Sequence, residues 1–229
     1  KAPRPLIGWL AAAAPLTALL LMMPSTPAVL SGTVSRAMIP WASEVGLNFS
    51  LRMDGLAWMY SVMVLAIGVL VVMYARYYLS QKDNASRFFA FLLLFMGAML
   101  GMVLSGNLLM LVVFWELTSI SSFLLIGFWS HREDAREGAR MALAITGAGG
   151  FALLGGVLLI GRVVGSFDLD TVLASGDLIR DSEYYPWILG LVLLGIFTKS
   201  AQFPFHFWLP HAMAAPTPVS AYLHSATMV

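Results

Sequence analysis

Six continuous apolar runs constrain the fold of this chain. They cover about residues 6–23, 57–79, 88–106, 108–129, 141–161 and 187–209, and the start of another lies at 218. Each of the six is close to the roughly 20 residues that a helix needs to cross a bilayer. Only helices and closed β-barrels satisfy their backbone hydrogen bonds inside hydrocarbon, and barrel strands alternate apolar and polar residues instead of running continuously apolar. The sequence therefore predicts an all-α, polytopic membrane helix bundle.

The composition fits a chain that lies in a lipid bilayer. Of its 229 residues, 59% are hydrophobic and 11% are charged, whereas soluble domains carry about 25% charged residues. The net charge of +1 and the lack of a basic run give no reason to expect nucleic acid as a partner. There is no cysteine, and the four histidines lack metal-ligand spacing, so we expect no disulfide, metal or cofactor.

The two ends of the sequence predict a fragment of a longer chain. Residue 1 is a lysine, and the last apolar run stops at Val229, well short of a spanning helix. The first 28 residues have the basic start and apolar middle of a signal peptide. The run 6–23 is long for a signal peptide, which favours a membrane helix. We expect residues 1–229 to form one membrane-embedded domain.

Lysine and arginine are unequally divided between the two sides of the predicted bundle. Eight lie before the first run or in the second-to-third and fourth-to-fifth connections, and four lie on the other side: Arg36, Arg52, Arg162 and Arg180. By the positive-inside rule the richer side is cytoplasmic, so the acidic loop 162–185 is external. Within that loop we expect a short surface helix over 168–174 with Asp168 as its N-cap.

Lys199 lies inside the apolar run 187–209. A central lysine costs roughly 2.5–3.5 kcal/mol on insertion scales, so we expect it to be paired or used. Pro204 follows and removes a backbone donor, which predicts a helix break of the kind that lines wet cavities in transporters. Alternatively, Pro204 only ends the helix and Lys199 snorkels to the surface. Nearby polar residues are candidates for lining a path: Thr198, Ser200 and Gln202.

Glu116 is the second ionisable residue embedded in an apolar run, here 108–129. Ser119 shares its helix face at i+3, and Ser122 follows. Hydroxyl groups at these positions are able to hold water or bond a carboxylate, so both serines are candidate lining residues. Under the alternative interpretation, Glu116 is a neutral acid that hydrogen-bonds a neighbouring helix. An acid and a base, each embedded, favour a proton or cation path.

His224 lies on the last, incomplete apolar run. Thr217 and Pro218 are a good N-cap and first helical residue. From there Ser220, His224 and Thr227 follow at i, i+4 and i+7, which predicts one polar stripe on an apolar helix. A histidine there is able to relay protons; a core histidine with a hydroxyl partner explains the same pattern.

A second pattern predicts close helix packing. Small residues recur at every fourth position of the run 141–161: Ala144, Ala148, Ala152 and Gly156. Small residues in this register let a neighbouring helix approach closely.

Two segments resemble a known family. Residues 114–129 read FWELTSISSFLLIGFW, and residues 198–229 read TKSAQFPFHFWLPHAMAAPTPVSAYLHSATMV. Both resemble the large A subunit of Mrp-type multisubunit cation/proton antiporters, which is similar to the largest antiporter-like membrane subunit of respiratory complex I. Asp54-Gly55-Leu56 and the segment 91–107 support the resemblance, which covers about residues 41–229.

The resemblance implies a fold and roles for three residues. The family's core is built from inverted repeats, each with one discontinuous helix, and this chain would hold the first repeat. Glu116 looks like the family's essential glutamate, Lys199 like the lysine on the broken helix, and His224 like the histidine of the next helix. In the complex I relative an aspartate stands where this chain has Gly150, so a Glu–Asp pair is not expected here.

These features together predict a transport function and no enzymatic one. We expect a subunit that exchanges Na⁺ or another monovalent cation for H⁺, together with other membrane subunits, in the bacterial cytoplasmic (inner) membrane. In this hypothesis Glu116 and Lys199 form a switchable ion pair that passes protons toward His224. The alternatives are a proton-translocating subunit of a complex I-like redox enzyme and a structural subunit that conducts nothing.

Overall fold

The computed structural model describes the backbone of residues 4–227 and the side chains of residues 6–223. The side chains of His224 and Thr227 therefore lie outside the described residues. The helices are α1 (Arg4–Met22), α2 (Thr26–Leu30), α3 (Gly55–Tyr78), α4 (Ala85–Val103), α5 (Leu108–Ile126), α6 (Glu133–Val164), α7 (Leu169–Ala174), α8 (Gly176–Arg180), α9 (Tyr185–Lys199), α10 (Trp208–Ala212) and α11 (Thr217–Thr227). Short 3₁₀ segments cover Met23–Ser25, Ser43–Val45 and Phe205–Phe207.

Five spans are long and apolar enough to cross a membrane. They are Leu6–Leu30, which joins α1 to α2, and the four helices α3, α4, α5 and α6. α9 is apolar but has only 15 residues, because it ends at Lys199. The predicted helical membrane bundle is confirmed, and the chain is a multi-pass membrane protein.

Three polar side chains set the starts of the spanning helices. Asp54 accepts a hydrogen bond from the Ala57 amide at the start of α3, at 2.8 Å. Asn84 does the same for α4, and Asn107 accepts from two amides of the first turn of α5. Each cap satisfies amides that have no partner within the helix. The chain can therefore turn back sharply between neighbouring spans.

The bundle core lies mainly between α3, α4 and α5. Leu65 of α3, Phe88 and Leu92 of α4, and Leu125 of α5 are among its fully buried side chains. α11 joins this core through Tyr222, whose hydroxyl donates to the Val64 carbonyl at 2.9 Å. The start of α11 is thereby fixed against α3, so the helix that follows the break is held at a defined place in the bundle.

Glycine lets α6 and α9 pack closely. A Cβ added at Gly149 would overlap the Thr198 side chain, and one at Gly156 would come within 2.8 Å of Val192. The predicted small-residue seam is only partly right: Gly156 is buried, but Ala144 and Ala148 are exposed within the described residues. The contact with α9 is carried by glycines of α6, among them Gly149 and Gly156.

A β-hairpin is an addition to the predicted helical fold, and it lies on the side that the charge distribution predicts to be external. Strand β1 (Ser35–Ala42) pairs antiparallel with β2 (Leu47–Met53), with Ile39 opposite Phe49. Gly46 makes the turn with φ +75°, a conformation that favours glycine. Two further backbone bonds tie β2 to the α4–α5 connection: Arg52 N donates to Leu104 O, and Gly106 N donates to Ser50 O.

The acidic loop 162–185 is held to this hairpin by ion pairs. Asp170 accepts from Arg36 Nε at 2.6 Å and from Arg52 Nε at 2.8 Å, and Arg52 also bonds Asp54. These hydrogen bonds, from Arg36 first and then Arg52, hold the pKa of Asp170 below its usual range. The predicted short helix is confirmed as α7, with Asp168 accepting from the Thr171 amide at 3.0 Å. The loop is thus an ordered part of the same face of the bundle as the hairpin.

Candidate functional site

The predicted helix break is present, and it begins at Lys199. α9 ends there, with the Ser200 amide bonded to the Ile196 carbonyl and the Gln202 amide to the Phe197 carbonyl. Ala201 between them has φ +52°, in the left-handed region. The Phe203–Pro204 peptide is cis, and the chain then forms the 3₁₀ turn and α10. The predicted run 187–209 is therefore two helical pieces, and Pro204 lies in the connection between them.

Trp208 fixes the far side of the break against the near side. Its indole nitrogen donates to the Thr198 carbonyl at 2.9 Å, and both residues are buried. A carbonyl in the last turn of a helix has no partner within the helix, and here the indole supplies one. The Thr198 hydroxyl donates to the Gly195 carbonyl at 2.8 Å. The turn that carries Lys199 is thus held in place on two sides.

The ammonium group of Lys199 rests on α5. Its Nζ donates to the Ser119 hydroxyl at 2.8 Å and to the Trp115 carbonyl at 3.4 Å. It also lies 5.6 Å from the centroid of the Trp115 ring. A cation at the C-terminal end of a helix is further stabilised by the helix dipole. These contacts place the charge between α5 and α9 instead of at a lipid surface, which argues against snorkelling.

The carboxylate of Glu116 faces α6. One of its oxygens, Oε1, is buried and has no hydrogen-bond partner among the described residues. Gly150 leaves the space that the carboxylate occupies, since a Cβ at residue 150 would overlap it. A desolvated, unpartnered acceptor is costly. The carboxylate is therefore positioned to accept a proton, a cation or a water molecule.

Glu116 and Lys199 are electrostatic neighbours without direct contact. Both side chains are described, and no nitrogen–oxygen distance between them falls within 4.0 Å. Each nevertheless acts electrostatically on the other. The predicted ion pair would have placed the Glu116 carboxylate against the Lys199 ammonium. In the structure the Ser119 hydroxyl is in that place. The structure thus has the two charges together, with a hydroxyl as the present partner of the lysine.

The predicted lining residues divide into two groups. Ser119 and Thr198 are buried at the site, and Ser122 lies one turn along α5 with its hydroxyl donating to the Ser119 carbonyl at 2.8 Å. Ser200 donates to its own helix, Gln202 is exposed at the break, and Ser220 is buried on α11 with its hydroxyl 3.5 Å from the Ala215 carbonyl. The structure brings together Glu116, Ser119, Thr198 and Lys199.

Two residues at this site were not predicted from the sequence. The carbonyl and ring of Trp115 both contact the Lys199 ammonium, and its indole nitrogen is buried without a partner among the described residues. Gly149 admits Thr198 at the point where α9 meets α6. The only sequence feature that could have pointed to these two residues is that Trp115 directly precedes Glu116 and Gly149 directly precedes Gly150.

Family models match most of the chain. The model described as "NADH:quinone oxidoreductase/Mrp antiporter, TM" matches residues 105–229, which is more than half of the sequence and includes Glu116 and Lys199. The chain belongs to this family. A second model, "NADH-Ubiquinone oxidoreductase (complex I), chain 5 N-terminus", matches residues 39–89. The predicted resemblance to the Mrp/complex I antiporter family is confirmed.

Curated relatives in this family carry antiporter names. The chain is 63% identical over 223 residues to the A/B subunit of a probable K⁺/H⁺ antiporter of Rhizobium meliloti. It is 48% identical over 223 residues to the A subunit of the Na⁺/H⁺ antiporter of Alkalihalophilus pseudofirmus. Each match covers 97% of this chain but only 22% and 28% of the respective relative. The chain thus spans less than a third of the length of these relatives.

Solved structures agree with this membership. The Mrp complex from a Dietzia species matches with a TM-score of 0.88 and 34% identity, over 97% of this chain and 24% of that one. The membrane-bound sulfane sulfur reductase, an archaeal respiratory membrane complex, matches with a TM-score of 0.79 at 18% identity, over 97% of this chain and 38% of that one. The second match shows a shared fold only.

Proposed function

We propose that this chain is the first antiporter-like repeat of the large A subunit of an Mrp-type complex in the bacterial cytoplasmic membrane. In this proposal residues 1–229 form one membrane-embedded domain that works with other membrane subunits to exchange a monovalent cation for H⁺. Support comes from the antiporter names of relatives at 48–63% identity. The names include both K⁺ and Na⁺, and the K⁺/H⁺ relative has the higher identity of the two.

One observation carries the proposal: a lysine ammonium and an unpartnered carboxylate lie side by side at a helix break. Lys199 bonds Ser119, while Glu116 Oε1 has no hydrogen-bond partner among the described residues. A charged pair of this kind is costly to embed and is rarely kept without a use. The break after Lys199 places the ammonium at the end of α9 instead of within a continuous helix. We propose that the ammonium alternates between two positions, one on Ser119 and one on Glu116.

These two positions define the proposed proton relay. With Glu116 ionised, its carboxylate attracts the ammonium away from Ser119, and the two charges stabilise each other. A proton that binds Glu116 removes that attraction, so Lys199 returns to Ser119 and passes its own proton toward His224. Moving one charge across the membrane is worth about 2.3 kcal/mol per 100 mV, and a change of one pKa unit corresponds to about 1.4 kcal/mol. Modest electrostatic coupling therefore suffices to drive the step.

The remaining polar residues would line the path on either side of the pair. We propose that Ser119, Ser122 and Thr198 hold water near the pair, that Ser200 and Gln202 do so at the break around Pro204, and that Ser220 and Thr227 do so beside His224. The break exposes backbone groups that hydrocarbon would leave unsatisfied. Water in this region would satisfy them and conduct protons.

Replacing Lys199 with alanine tests the relay. In the full complex, K199A is expected to abolish proton movement driven by Na⁺ or K⁺, because the relay loses its central proton carrier. The measurement is the initial rate of pH change in everted membrane vesicles after cation addition. K82A is the matched control, since Lys82 is an exposed lysine in the α3–α4 connection. Normal antiport by an assembled K199A complex contradicts the relay.

A second candidate function is that of a proton-translocating subunit of a redox complex. The matched family includes NADH:quinone oxidoreductases as well as Mrp antiporters. The two functions differ in their neighbours, because a redox complex requires flavin or iron–sulfur subunits. Purification of the native assembly decides between them: absorption by flavin or iron–sulfur centres would favour the redox complex, and its absence favours the antiporter.

A further inference from the structure

Arg76, in the last turn of α3, has no hydrogen-bond acceptor in the described part of the chain. Its Nη1 is buried without a partner, and it takes part in none of the ion pairs among the described residues. A guanidinium group carries five N–H donors and stays charged at any physiological pH. Buried donors without acceptors carry the full penalty of desolvation. An acceptor from outside the described residues is therefore expected.

Two aromatic rings lie close to the guanidinium group. Its Cζ lies 4.5 Å from the Trp9 ring centroid and 5.3 Å from that of Tyr77. Gly8 lets the stem of Arg76 lie against α1, since a Cβ at residue 8 would come within 2.9 Å of Arg76 Cγ. Rings stabilise the cation through its faces and leave its N–H edge available. The side chain is thus organised in advance for an anion that offers two oxygens to the guanidinium.

The surroundings of Arg76 have the character of a membrane interface. Trp9 is 51% exposed and Tyr77 is 76% exposed, as expected for rings at the level of lipid headgroups. The lysine and arginine distribution places this end of α3 on the cytoplasmic side. Leu16 shares the face of Trp9 and Leu70 shares that of Tyr77, and both are exposed toward the bilayer centre. An acyl chain would find apolar surface directly below the cation.

We propose that Arg76, Trp9 and Tyr77 bind the phosphate group of an anionic phospholipid in the cytoplasmic leaflet. The phosphate oxygens accept from guanidinium N–H groups of Arg76, and arginine favours this two-point contact over lysine. The negative surface potential of the cytoplasmic leaflet concentrates such lipids at this depth. The other candidate occupant, a carboxylate from a neighbouring protein, is less favoured because both rings remain open toward the surroundings of α1 and α3. The proposal is independent of the proton relay.

Lipid titration of the purified full complex tests this site. The probe is dioleoyl phosphatidylglycerol, added to the detergent-solubilised complex and counted by native mass spectrometry, with dioleoyl phosphatidylcholine as the lipid without net charge. R76Q is expected to weaken phosphatidylglycerol binding at one site by at least about tenfold, because charged hydrogen bonds are lost. W9L keeps apolar area but removes a ring, and is expected to weaken the same site. R136Q removes an exposed arginine of α6 and should leave the site unchanged.

The outcomes separate the proposal from its rivals. A loss of one bound phosphatidylglycerol in R76Q and W9L but not in R136Q supports it. Equal loss in R76Q and R136Q indicates charge attraction alone and overturns it. Displacement by inorganic phosphate at similar concentration also overturns it, because the acyl chains would then contribute nothing. Unchanged lipid count together with loss of a neighbouring protein in R76Q assigns the arginine to a protein contact instead, and R76K shows whether charge alone preserves folding.

Discussion

At the scale of single residues, the site depends on a glycine that makes room for a carboxylate. Glu116 turns its Oε1 toward Gly150, where any β-carbon would overlap it. The same helix admits Thr198 at Gly149, so adjacent glycines position both of the helices that carry charge. The sequence pointed to Glu116 because a carboxyl group stands out in an apolar run. It could not indicate the fit to Gly150, because that contact exists only when α5 meets α6.

Gly150→Ala is expected to lower antiport activity of the full complex by roughly 10- to 100-fold, since a displacement of about 1 Å at a reacting group has effects of that size. The measurement is cation-driven proton movement in vesicles. Gly155→Ala is the control, because its β-carbon would make an ordinary contact with Leu191 at 3.5 Å. E116D in the G150A background should restore part of the rate, since the shorter side chain clears the new methyl group. No rescue would indicate that Gly150 serves helix packing only.

At the scale of helices, the break is the element that places the lysine at the end of a helix. The Ser200 and Gln202 amides close the end of α9, and Ala201 between them takes a conformation that glycine prefers. Trp208 then bonds back to Thr198 across the break. Pro204 predicted the break in the sequence, but the turn begins at Lys199 because these local hydrogen bonds end the helix first.

The left-handed backbone at Ala201 leads to a prediction about how substitutions there change the stability of the complex. Ala201→Gly should be tolerated or raise the stability of the full complex, because a non-glycine residue in this region costs roughly 1–2 kcal/mol. Ala201→Val should lower the melting temperature, since β-branched residues fit this region worst. Ala148→Val, on an exposed face of α6, is the control. A melting temperature of A201V equal to that of the control would show that φ at this residue is not constrained.

The accuracy of the sequence-based prediction differs from element to element for physical reasons. A spanning helix must be long and apolar, so every predicted run contains a helix. α6 begins at Glu133, eight residues before its predicted run, because its charged first turns lie outside hydrocarbon and carry no hydropathy signal. The hairpin Ser35–Met53 escaped prediction because its strands carry no long apolar run and are held in place by contacts with Ser105, just after α4, and with Asp170 of α7. The hydropathy pattern therefore indicates the segments that cross the bilayer. The elements that depend on tertiary contacts, such as the hairpin, carry no comparable signal in the sequence.

At the scale of the whole molecule, the hairpin Ser35–Met53 joins three connections into one layer. Asp170 binds Arg36 of β1 and Arg52 of β2, which links the loop before α9 to the strands that precede α3. The Leu108 amide also donates to the Phe167 carbonyl, and the Asn107 side chain donates to the Gly46 carbonyl. This layer holds the start of α3, the start of α5 and the end of α6 relative to one another.

The ion pairs of this layer predict that the folded protein loses stability at acid pH. Because folding lowers the pKa of Asp170, its contribution is fully present above its ordinary value of 3.8 and is lost as the pH falls through the lower, folded value. D170N should therefore melt at a lower temperature than wild type at neutral pH, and the difference should vanish in strong acid. D177N is the control, since Asp177 pairs only with the exposed Arg180 of its own turn. A difference that persists in acid would mean that the aspartate acts through something other than its charge.

The central claim is that Glu116 and Lys199 act as one coupled pair, and a double-mutant cycle measures that coupling most directly. E116D and K199R keep both charges and should leave measurable rates of cation-driven proton movement in vesicles of the full complex. If the pair works as one unit, the double variant will depart from the product of the single effects by a coupling free energy of roughly 0.5–3 kcal/mol. If the rate of the double variant equals the product of the two single effects, and the complex is fully assembled, the claim that the pair is coupled is contradicted.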